Sequence, residues 1–560
     1  MRNFYRSFFI LISISSLSFI SCNRSNNSTS DATSEMSATN LQPVKNDWMV
    51  SWLAANPTTL NPILKTDAYA SAVVDWLFDS LIRFDPKTAQ PEGRLAESWE
   101  VSKDGLTYDF TLRPGITFHD GHPLTTEDVK FTFDTIKNPK VDAAHLQNYF
   151  ASLKSVEVLS PLKVRFHLKE IYYRNLIMLG LVDIMPKHIY GVGDFNKNAA
   201  NRKPIGSGPY VFKSWDNGQS VELVRNKNYF GNQVEKLKNL YNFERLVFRI
   251  ITEPSVALMA LKKGDIDAME PTTRQYYSEL ATPEVEKKFY RFRYDTADGN
   301  GHGFIGWNLR LPLFQSKEVR QALAYAMPRE EINKKIYFNS RTLAVGTFPK
   351  VSPKSEPSLQ PIPYDSAKAK ALLEKAGWKI NPATGIFEKD GKKFSFELLF
   401  GAGNSDSERV ALIYQQALKQ IGIEMNIRTL EWTVFVKQMQ AFKFDALMMG
   451  WGGALDMDPY QIWHSSQANG EGSNFIGFKN PEADKLMEQA RVTLDPNKRN
   501  KLYHQFSKIL AEEAPYLFLF EVPSLFVGSK RFQGILPVPL MGLDSAAWFT
   551  PKGMEKYKEQ

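Results

Sequence analysis

The sequence predicts an α/β protein with two or more domains, and three observations lead to this prediction. The chain has 560 residues, of which 43% are hydrophobic, whereas a single hydrophobic core stops growing at roughly 250–300 residues. Strand and helix patterns alternate through much of the second half, which is typical of a sheet covered by helices. Charged residues make up 23% of the chain, an ordinary proportion for a globular protein.

The N-terminal segment has the pattern of a lipoprotein signal peptide. Arg2 and Arg6 precede an apolar run over residues 8–20, which has the length of a signal-peptide core and is too short to cross a bilayer comfortably. The run ends at Cys22, the only cysteine of the chain, so no disulfide forms within the chain. A lone cysteine at this place resembles a bacterial lipobox. We expect a signal peptide over residues 1–21 and lipidation at Cys22; an ordinary signal peptide cut elsewhere is the alternative.

The segment 22–47 is rich in Ser, Asn, Thr and Asp and has very few apolar side chains. Such a segment cannot bury enough apolar surface to offset the entropy lost on ordering. We therefore expect a flexible tether, and acyl chains on Cys22 would hold the protein stably on a membrane. A polar cap folded onto the body is the alternative.

The first folded element is expected at residues 48–52, where the pattern predicts a strand. Asn and Pro residues then form a loop, and ligands of open α/β sheets gather where strands end. Thr58 and Asn61 in this loop are therefore candidates to line a binding cleft, although turn chemistry explains them equally well. Residues 68–81 have the apolar spacing of an amphipathic helix.

The stretch 94–133 predicts a compact unit of strands followed by a helix. Its apolar residues at 106, 108, 110 and 112 recur at every second position, as in a half-buried strand. Gly105 and Gly115 lie in turns on either side of this strand, and Thr125, Thr126 and Asp128 have the composition of a helix start.

The same stretch carries a resemblance to a known family. The order LAESWEVSKDGLTYDFTLRPGITFHDGHPLTTEDVKFTFD closely resembles the diagnostic segment of the family 5 extracellular solute-binding proteins, the dipeptide-, oligopeptide- and nickel-binding receptors of ABC importers. The resemblance extends from about residue 48 to about residue 532 and includes PIGSGPY, FIGWNL and YDSAKAKALLEKAGW.

The resemblance implies an α/β fold of two lobes, the type II periplasmic-binding-protein architecture, with an extra subdomain in the first lobe. The expected boundaries are 48–302 for the first lobe, 303–521 for the second, and 522–560 for a return to the first. Two hinge strands would join the lobes, which close on a ligand by hinge motion.

The second lobe is expected to alternate between helices and strands. This alternation predicts a covered, largely parallel sheet. The predicted helices are 366–376, 408–421 and 432–441, and the predicted strands are 394–400, 423–430 and 444–451. Further along, helices are predicted over 481–492 and 496–513, followed by a strand at 516–520.

The predicted ligand site lies mainly where the strand at 444–451 ends. Its expected residues are Asn308, Trp451, Gly452, Gly453, Asp456, Trp463 and His464. The tryptophans offer rigid apolar faces, and the glycines expose backbone groups. In peptide-binding members of the family, an aspartate just past this tryptophan holds the α-amino group of the ligand. Here the matching positions are Ala454 and Leu455, so Asp456 is the candidate substitute.

Other chemistries are not predicted. Residues 301–306 satisfy G-x-G-x-x-G, but an extended stretch ending in proline follows instead of the helix that a dinucleotide site needs. His119 and His122 flank Asp120 without the dense ligand cluster of a metal site. No G-x-S-x-G elbow accompanies His464. The net charge is +8, but the basic residues are mixed with acidic ones, so nucleic-acid binding is not expected. We expect no catalytic residues, cofactor or metal.

The sequence therefore favours the substrate-binding component of an ABC transporter, which captures peptides in a cleft between its lobes. We expect a monomer at the periplasmic or cell-surface face of a bacterial membrane, anchored through Cys22 and delivering its solute to a permease and an ATPase. A surface lipoprotein that uses this fold for sensing or adhesion is the alternative.

Overall fold

The structure is a computed structural model that describes residues 43–296, 299–453, 456–468, 472–538 and 542–557. The predicted signal peptide, Cys22, nearly all of the tether, and the pair Ala454 and Leu455 lie outside the described residues. The strands are, in chain order, β1 (Pro43–Val44), β2 (Trp48–Leu53), β3 (Ile82–Phe84), β4 (Pro91–Gly93), β5 (Ala96–Val101), β6 (Thr107–Leu112), β7 (Leu153–Ser160), β8 (Lys163–Leu168), β9 (Tyr210–Asp216), β10 (Ser220–Arg225), β11 (Arg245–Ile250), β12 (Ala268–Met269), β13 (Phe289–Tyr294), β14 (Gly301–Trp307), β15 (Lys379–Ile380), β16 (Phe387–Lys389), β17 (Lys392–Lys393), β18 (Ser395–Gly401), β19 (Glu424–Leu430), β20 (Ala446–Gly452), β21 (Tyr516–Glu521), β22 (Ser524–Ser529), β23 (Pro537–Val538), β24 (Gly542–Leu543) and β25 (Thr550–Pro551).

The helices cover both main sheets. They are α1 (Ala68–Val74), α2 (Thr126–Lys137), α3 (Ala144–Gln147), α4 (Asn175–Gly180), α5 (Lys187–Tyr190), α6 (Pro254–Lys263), α7 (Pro283–Lys288), α8 (Lys317–Tyr325), α9 (Arg329–Tyr337), α10 (Ser366–Lys375), α11 (Ser405–Gln420), α12 (Trp432–Gln440), α13 (Tyr460–Trp463), α14 (Pro481–Val492) and α15 (Pro496–Glu513). Across the described ranges, no helix is both long enough and apolar enough to span a bilayer.

Two groups of sheets define what we call lobe 1 and lobe 2. Lobe 1 contains a seven-stranded sheet, ordered β13-β22-β12-β2-β11-β10-β9, and a four-stranded antiparallel sheet, ordered β5-β6-β8-β7. In the larger sheet β2 runs parallel to β11 and β12, and the other pairs are antiparallel. Lobe 2 contains a five-stranded sheet, ordered β19-β18-β20-β14-β21.

The prediction of a largely parallel sheet in the second lobe is wrong. Strand β18 is parallel to β19 and β20, but β14 is antiparallel to both β20 and β21. Strand β14 enters from lobe 1 and β21 leads back to it, so these two strands follow the path between the lobes and not a βαβ repeat. The sheet is therefore mixed.

Alternation of side chains gives lobe 2 a hydrophobic core on each face of its sheet. Ile305 and Trp307 of β14 belong to the cluster packed by α8, α9 and α11, whereas Phe304 belongs to the cluster packed by α14 and α15. Successive side chains of a strand point to opposite faces, so one strand supplies both cores. Of the four clusters formed by described residues, none spans both lobes.

The long helices at the end of lobe 2 begin where local signals place them. Asn480 and Asp495 cap α14 and α15 by accepting hydrogen bonds from the first turns, and proline occupies the first position of both helices. Proline fits there because the N–H it lacks has no intrahelical partner. The predicted spans 481–492 and 496–513 are confirmed.

The helix predicted over 68–81 is shorter, because α1 ends at Val74. The carbonyls of Trp76 and Leu77 accept hydrogen bonds from the backbone N–H groups of Tyr210 and Gly208, at 3.0 and 2.9 Å. A Cβ on Gly208 would lie 2.5 Å from the Leu77 carbonyl carbon, so this approach requires glycine. The backbone at the start of β9 therefore donates hydrogen bonds to the carbonyls that follow α1, and these carbonyls do not continue the helix.

Two crossings connect the lobes side by side. The chain passes from β13 of lobe 1 to β14 of lobe 2, and it returns from β21 to β22 through Val522 and Pro523. The Val522 N–H donates to the Gly301 carbonyl at 3.1 Å. Gly301 has φ +112°, and a Cβ there would lie 2.1 Å from the Trp451 carbonyl oxygen, so this position requires glycine. The G-x-G-x-x-G stretch lies within β14 and therefore forms a strand at the crossing and not a strand-to-helix turn.

A buried ion network ties the returning chain to the start of lobe 1. Arg531 donates to Asp267 through Nε at 2.8 Å and Nη2 at 2.7 Å, and it also pairs with Asp47. The Val50 N–H donates to Asp267 at 2.9 Å. Asp267 is therefore a structural carboxylate.

Candidate functional site

A cavity of about 930 Å³ lies in lobe 1, on one face of the seven-stranded sheet. Leu53 and Ala54, at the end of β2, line it together with Met269 and Glu270, at the end of β12. Strands β2 and β12 are parallel neighbours, so their carboxyl ends open on the same edge, where α/β sheets bind ligands. The volume falls within the range of small-molecule and cofactor sites, about 300–1,000 Å³.

Aromatic side chains form much of the cavity wall. They include Trp52, Tyr69, Trp76, Tyr241, Phe248 and Trp548. The rings of Trp76 and Tyr241 pack edge to face with their centroids 6.1 Å apart, which holds both side chains in place. Rigid aromatic surfaces bind apolar ligand groups at low entropic cost.

Most charged groups of the wall already have partners. Arg83 pairs with Glu92 at 2.6 Å, Arg94 pairs with the buried Asp79, and Asp75 pairs with Lys65 at 3.1 Å. Within each pair the two charges neutralise each other, so these side chains have little net charge with which to attract a ligand.

Two carboxylates of the wall have no cationic partner within the described part of the chain. The Asp544 carboxylate accepts a hydrogen bond from the Ala546 N–H at 3.2 Å. Glu270 has neither a hydrogen bond nor an ion pair there; its side chain is exposed to solvent, and partial desolvation by neighbouring protein raises the pKa of its carboxyl group. Sequence reasoning missed Glu270, although it directly follows a strand of the larger sheet, and strand ends are where open α/β sheets bind ligands.

The predicted residues at the end of β20 lie beside the hinge crossings. The partly exposed Trp451 ring stacks on Phe304 and on Phe475, with centroids 6.0 Å apart in both pairs. Gly452 pairs with Gly301 across the sheet. A Cβ on Gly453 would lie 2.0 Å from the Gly299 carbonyl oxygen, so this glycine permits close packing at the hinge.

Asp456, the predicted amine-binding residue, is already paired with a buried lysine. Its Oδ1 lies 2.7 Å from Lys354 Nζ, and its Oδ2 lies 3.9 Å from the Arg499 guanidinium. Lys354 is 4% exposed, and leaving its charge buried and unpaired would be costly. The geometry therefore disfavours Asp456 as a free partner for a ligand amine.

Three other predicted side chains of lobe 2 make internal contacts. Trp463 is fully buried and donates through Nε1 to Thr347 Oγ1 at 3.0 Å. The buried Asn308 amide donates to two backbone carbonyls near residue 443. His464 contacts Ser466 Oγ through Nδ1 at 2.8 Å and Glu488 through Nε2 at 3.2 Å. These contacts fix local structure.

Thr58 and Asn61 stabilise the turn that follows β2. Thr58 Oγ1 donates to Asp67, which also caps α1. The buried Asn61 side chain accepts from the Ile63 N–H at 2.8 Å and donates to Asn201. None of the nine predicted ligand residues lines the lobe 1 cavity.

His119, considered for metal binding from the sequence, also has a structural position. Its Nε2 lies 3.1 Å from the Gly208 carbonyl oxygen, and its Nδ1 accepts from the Gly206 N–H at 3.2 Å. Burial lowers the pKa of this histidine to about 4. Among the residues with described positions, no group of three or more His, Cys, Asp or Glu side chains is arranged to hold a metal ion.

A second contact between the lobes forms around two tyrosines that follow β8. Tyr172 donates to Asp458 Oδ2 at 2.8 Å, and Arg491 lies 3.0 Å from the same oxygen. The Tyr173 N–H donates to the Arg491 carbonyl at 2.9 Å. Burial, with the charge of Asp458, raises the pKa of Tyr172, so its hydroxyl stays protonated as a donor. We call this contact, formed by Tyr172, Tyr173, Asp458 and Arg491, the latch.

Comparisons with known proteins give concordant findings. A family model described as bacterial extracellular solute-binding proteins, family 5 Middle, matches residues 90–474. The oligopeptide-binding protein AppA of Bacillus subtilis (strain 168) is 35% identical over 476 residues, covering 83% of this chain and 84% of the relative.

Solved structures agree with these sequence matches. The chain resembles AppA from Bacillus subtilis in complex with a nonapeptide, with a TM-score of 0.78 and 32% identity, covering 91% of this chain and 100% of that one. It resembles NikZ from Campylobacter jejuni in complex with Ni(L-His) with a TM-score of 0.78 and 30% identity, covering 90% and 100%. The two-lobed α/β fold expected from the sequence is confirmed.

Proposed function

The chain belongs to the family 5 bacterial extracellular solute-binding proteins, and we propose that it captures peptides and delivers them to the membrane subunits of an ABC importer. The oligopeptide-binding protein AppA supports the peptide class, because it is 35% identical to this chain. The single observation that carries the proposal is the lobe 1 cavity, with its aromatic wall at the ends of parallel strands.

Capture in this scheme is binding without covalent chemistry. Apolar side chains of the peptide pack on the aromatic wall, where burial of apolar area contributes about 25 cal/mol per Å². Lobe 2 then closes over the ligand about the crossings near residues 302 and 521. The partly exposed Trp451 and the exposed Gly452 beside the hinge are the lobe 2 residues that we propose to meet the ligand.

The compartment follows from the family, whose members are extracellular or periplasmic proteins. We propose cleavage after residue 21, lipidation of Cys22 and a tether up to residue 47. The membrane anchor keeps the monomeric receptor close to its permease and ATPase partners, which raises their effective concentration without a new contact. The closed, liganded form is the state that docks on the permease.

The proposal is tested by mixing the purified full chain with a library of peptides and identifying the retained peptides by mass spectrometry. Tryptophan fluorescence reports ligand binding, because Trp52, Trp76 and Trp548 line the cavity. Ala72→Phe places bulk in the cavity, and Ala371→Phe on the exposed face of α10 is the matched control.

We expect retained peptides and an emission change for wild type and for Ala371→Phe, with both signals weakened by Ala72→Phe. A broad library from which no peptide is retained, with unchanged emission, refutes the proposal. Loss of uptake of the retained peptides in a deletion strain separates import from sensing or adhesion.

A further inference from the structure

Glu270 is a carboxylate of the cavity that no residue in the described ranges neutralises. It follows β12 directly, and solvent reaches it through the cavity. Its side chain is exposed to solvent in the cavity, and the neighbouring protein atoms raise the pKa of its carboxyl group by partial desolvation, with no ion pair or hydrogen bond in the described ranges to offset this cost. A desolvated charge of this kind is stabilised when an opposite charge arrives.

The other charges of the wall leave the cavity with an excess of negative charge. Arg83, Arg94 and Asp75 are each paired with an oppositely charged side chain. Asp544 accepts a backbone N–H and has no cationic partner among the described residues. Glu270 and Asp544 therefore face the ligand space uncompensated, and this charge balance favours a cation.

We propose that the cavity selects peptides carrying a cationic group, and that Glu270 is the residue that recognises it. This inference rests on the proposed function and names the class of peptide. A carboxylate binds an ammonium or guanidinium group through charge-assisted hydrogen bonds, which are stronger than neutral ones. The aromatic wall suits such a group as well, since it packs against a methylene stem and attracts the cation.

The recognition lies on lobe 1, whereas the sequence predicted it on lobe 2. Asp456, the lobe 2 candidate, is held by the buried Lys354 at 2.7 Å, whereas Glu270 has no such partner. The cationic group has two sources in a peptide, the α-amino group and a lysine or arginine side chain, and each presents charged N–H donors to a carboxylate.

The test uses matched peptide libraries of equal length built from neutral residues, with either lysine or its uncharged analogue norleucine at one fixed position. Each library is prepared with a free and with an acetylated N-terminus, so that the two sources of charge are separated. Affinities are measured by isothermal titration calorimetry for the full chain, for Glu270→Gln, and for Glu374→Gln, a control at an exposed glutamate of α10.

We expect wild type and Glu374→Gln to bind a cationic library about tenfold or more tightly than its neutral counterpart, because a hydrogen bond to a charged group has that value. Glu270→Gln removes this preference, so that the variant binds cationic and neutral libraries with equal affinity. A preference that depends on acetylation assigns Glu270 to the α-amino group, and one that depends on lysine assigns it to a side chain.

Equal affinities of wild type for charged and neutral libraries overturn the inference but leave the proposed function standing. A preference that survives in Glu270→Gln also overturns it. If Glu270→Gln no longer binds neutral peptides, the inference is judged by whether wild type binds cationic libraries more tightly than neutral ones. Failure of every library to bind wild type refutes the proposed function itself, so the two failures are distinct.

Discussion

The latch between the lobes gives the sharpest test of how this receptor closes. Tyr172 belongs to lobe 1 and is 5% exposed, and its hydroxyl donates to Asp458 of lobe 2 at 2.8 Å. Tyr172→Phe deletes only that hydroxyl and preserves the ring on which the Arg491 guanidinium lies, 4.6 Å from the centroid. The variant therefore removes one contact between the lobes with little change in packing.

A hydrogen bond to a charged group contributes about 1.5–3 kcal/mol. Arg491 still neutralises Asp458 in the variant, so we expect a loss at the lower end, about 1.5 kcal/mol. A loss of about 1.5 kcal/mol corresponds to a factor of about ten in an equilibrium constant. If the latch forms only in the closed state, the population of the closed state in the free protein falls by this factor. The apparent affinity for peptide then weakens about tenfold, because ligand binding must drive the closing step.

The assay is a titration of wild type and Tyr172→Phe with one retained peptide, followed by calorimetry and by tryptophan fluorescence. Small-angle scattering with and without peptide measures the change in radius of gyration on closing. Tyr364→Phe is the control, since Tyr364 is 47% exposed on lobe 2. Equal affinities and equal compaction for wild type and Tyr172→Phe would show that the latch is present whether or not ligand is bound, and would refute this account of closure.

Three further perturbations follow from buried groups. Asp267→Asn removes the bidentate partner of Arg531 and should lower the free energy of unfolding by about 3 kcal/mol; an unchanged urea midpoint would contradict the ion network. Burial lowers the pKa of His302 from 6.5 to about 4. Between pH 8 and pH 5 the unfolded chain therefore binds more protons than the folded chain, and the free energy of unfolding should fall by about 2 kcal/mol as the pH is lowered through this range. His302→Phe should flatten that dependence in thermal unfolding, and an identical slope would contradict it. Gly301→Ala should cost about 1–3 kcal/mol because of its φ of +112° and the nearby Trp451 carbonyl; wild-type stability would show that the crossing relaxes.

Local signals explain which parts of the fold were predictable. Helices α14 and α15 start at a capping residue followed by proline, and both signals lie within a few residues of the helix. The end of α1 was not predictable in this way, because residues 208 and 210, far along the chain, take up the carbonyls of Trp76 and Leu77. The parallel or antiparallel sense of β14 likewise depends on the path between lobes, which no local pattern encodes.

The candidate site was less predictable because it depends on pairings between distant residues. The rule that ligands bind at strand ends applies to β2, β12 and β20 alike. The sequence favoured the loop after β20, because tryptophans, glycines and an aspartate are concentrated there. Whether a carboxylate is free depends on cations elsewhere in the chain: Lys354 occupies Asp456, while Glu270 has no such neighbour within the described ranges. Residue type and spacing therefore do not predict which of the two carboxylates has a cationic partner.

The strand order separates ligand recognition from closure, and this separation is itself testable. Strand β12 lies between β22 and β2, so the returning chain after the second crossing completes the cavity within lobe 1 alone. The latch joins the lobes elsewhere, and no hydrophobic cluster in the described ranges spans both lobes. Independent sites have additive free energies within about 0.3–0.5 kcal/mol. The double variant Glu270→Gln with Tyr172→Phe should therefore lose the sum of the two single losses for a cationic peptide, and a smaller loss would mean that recognition of the cation by Glu270 already requires the closed state.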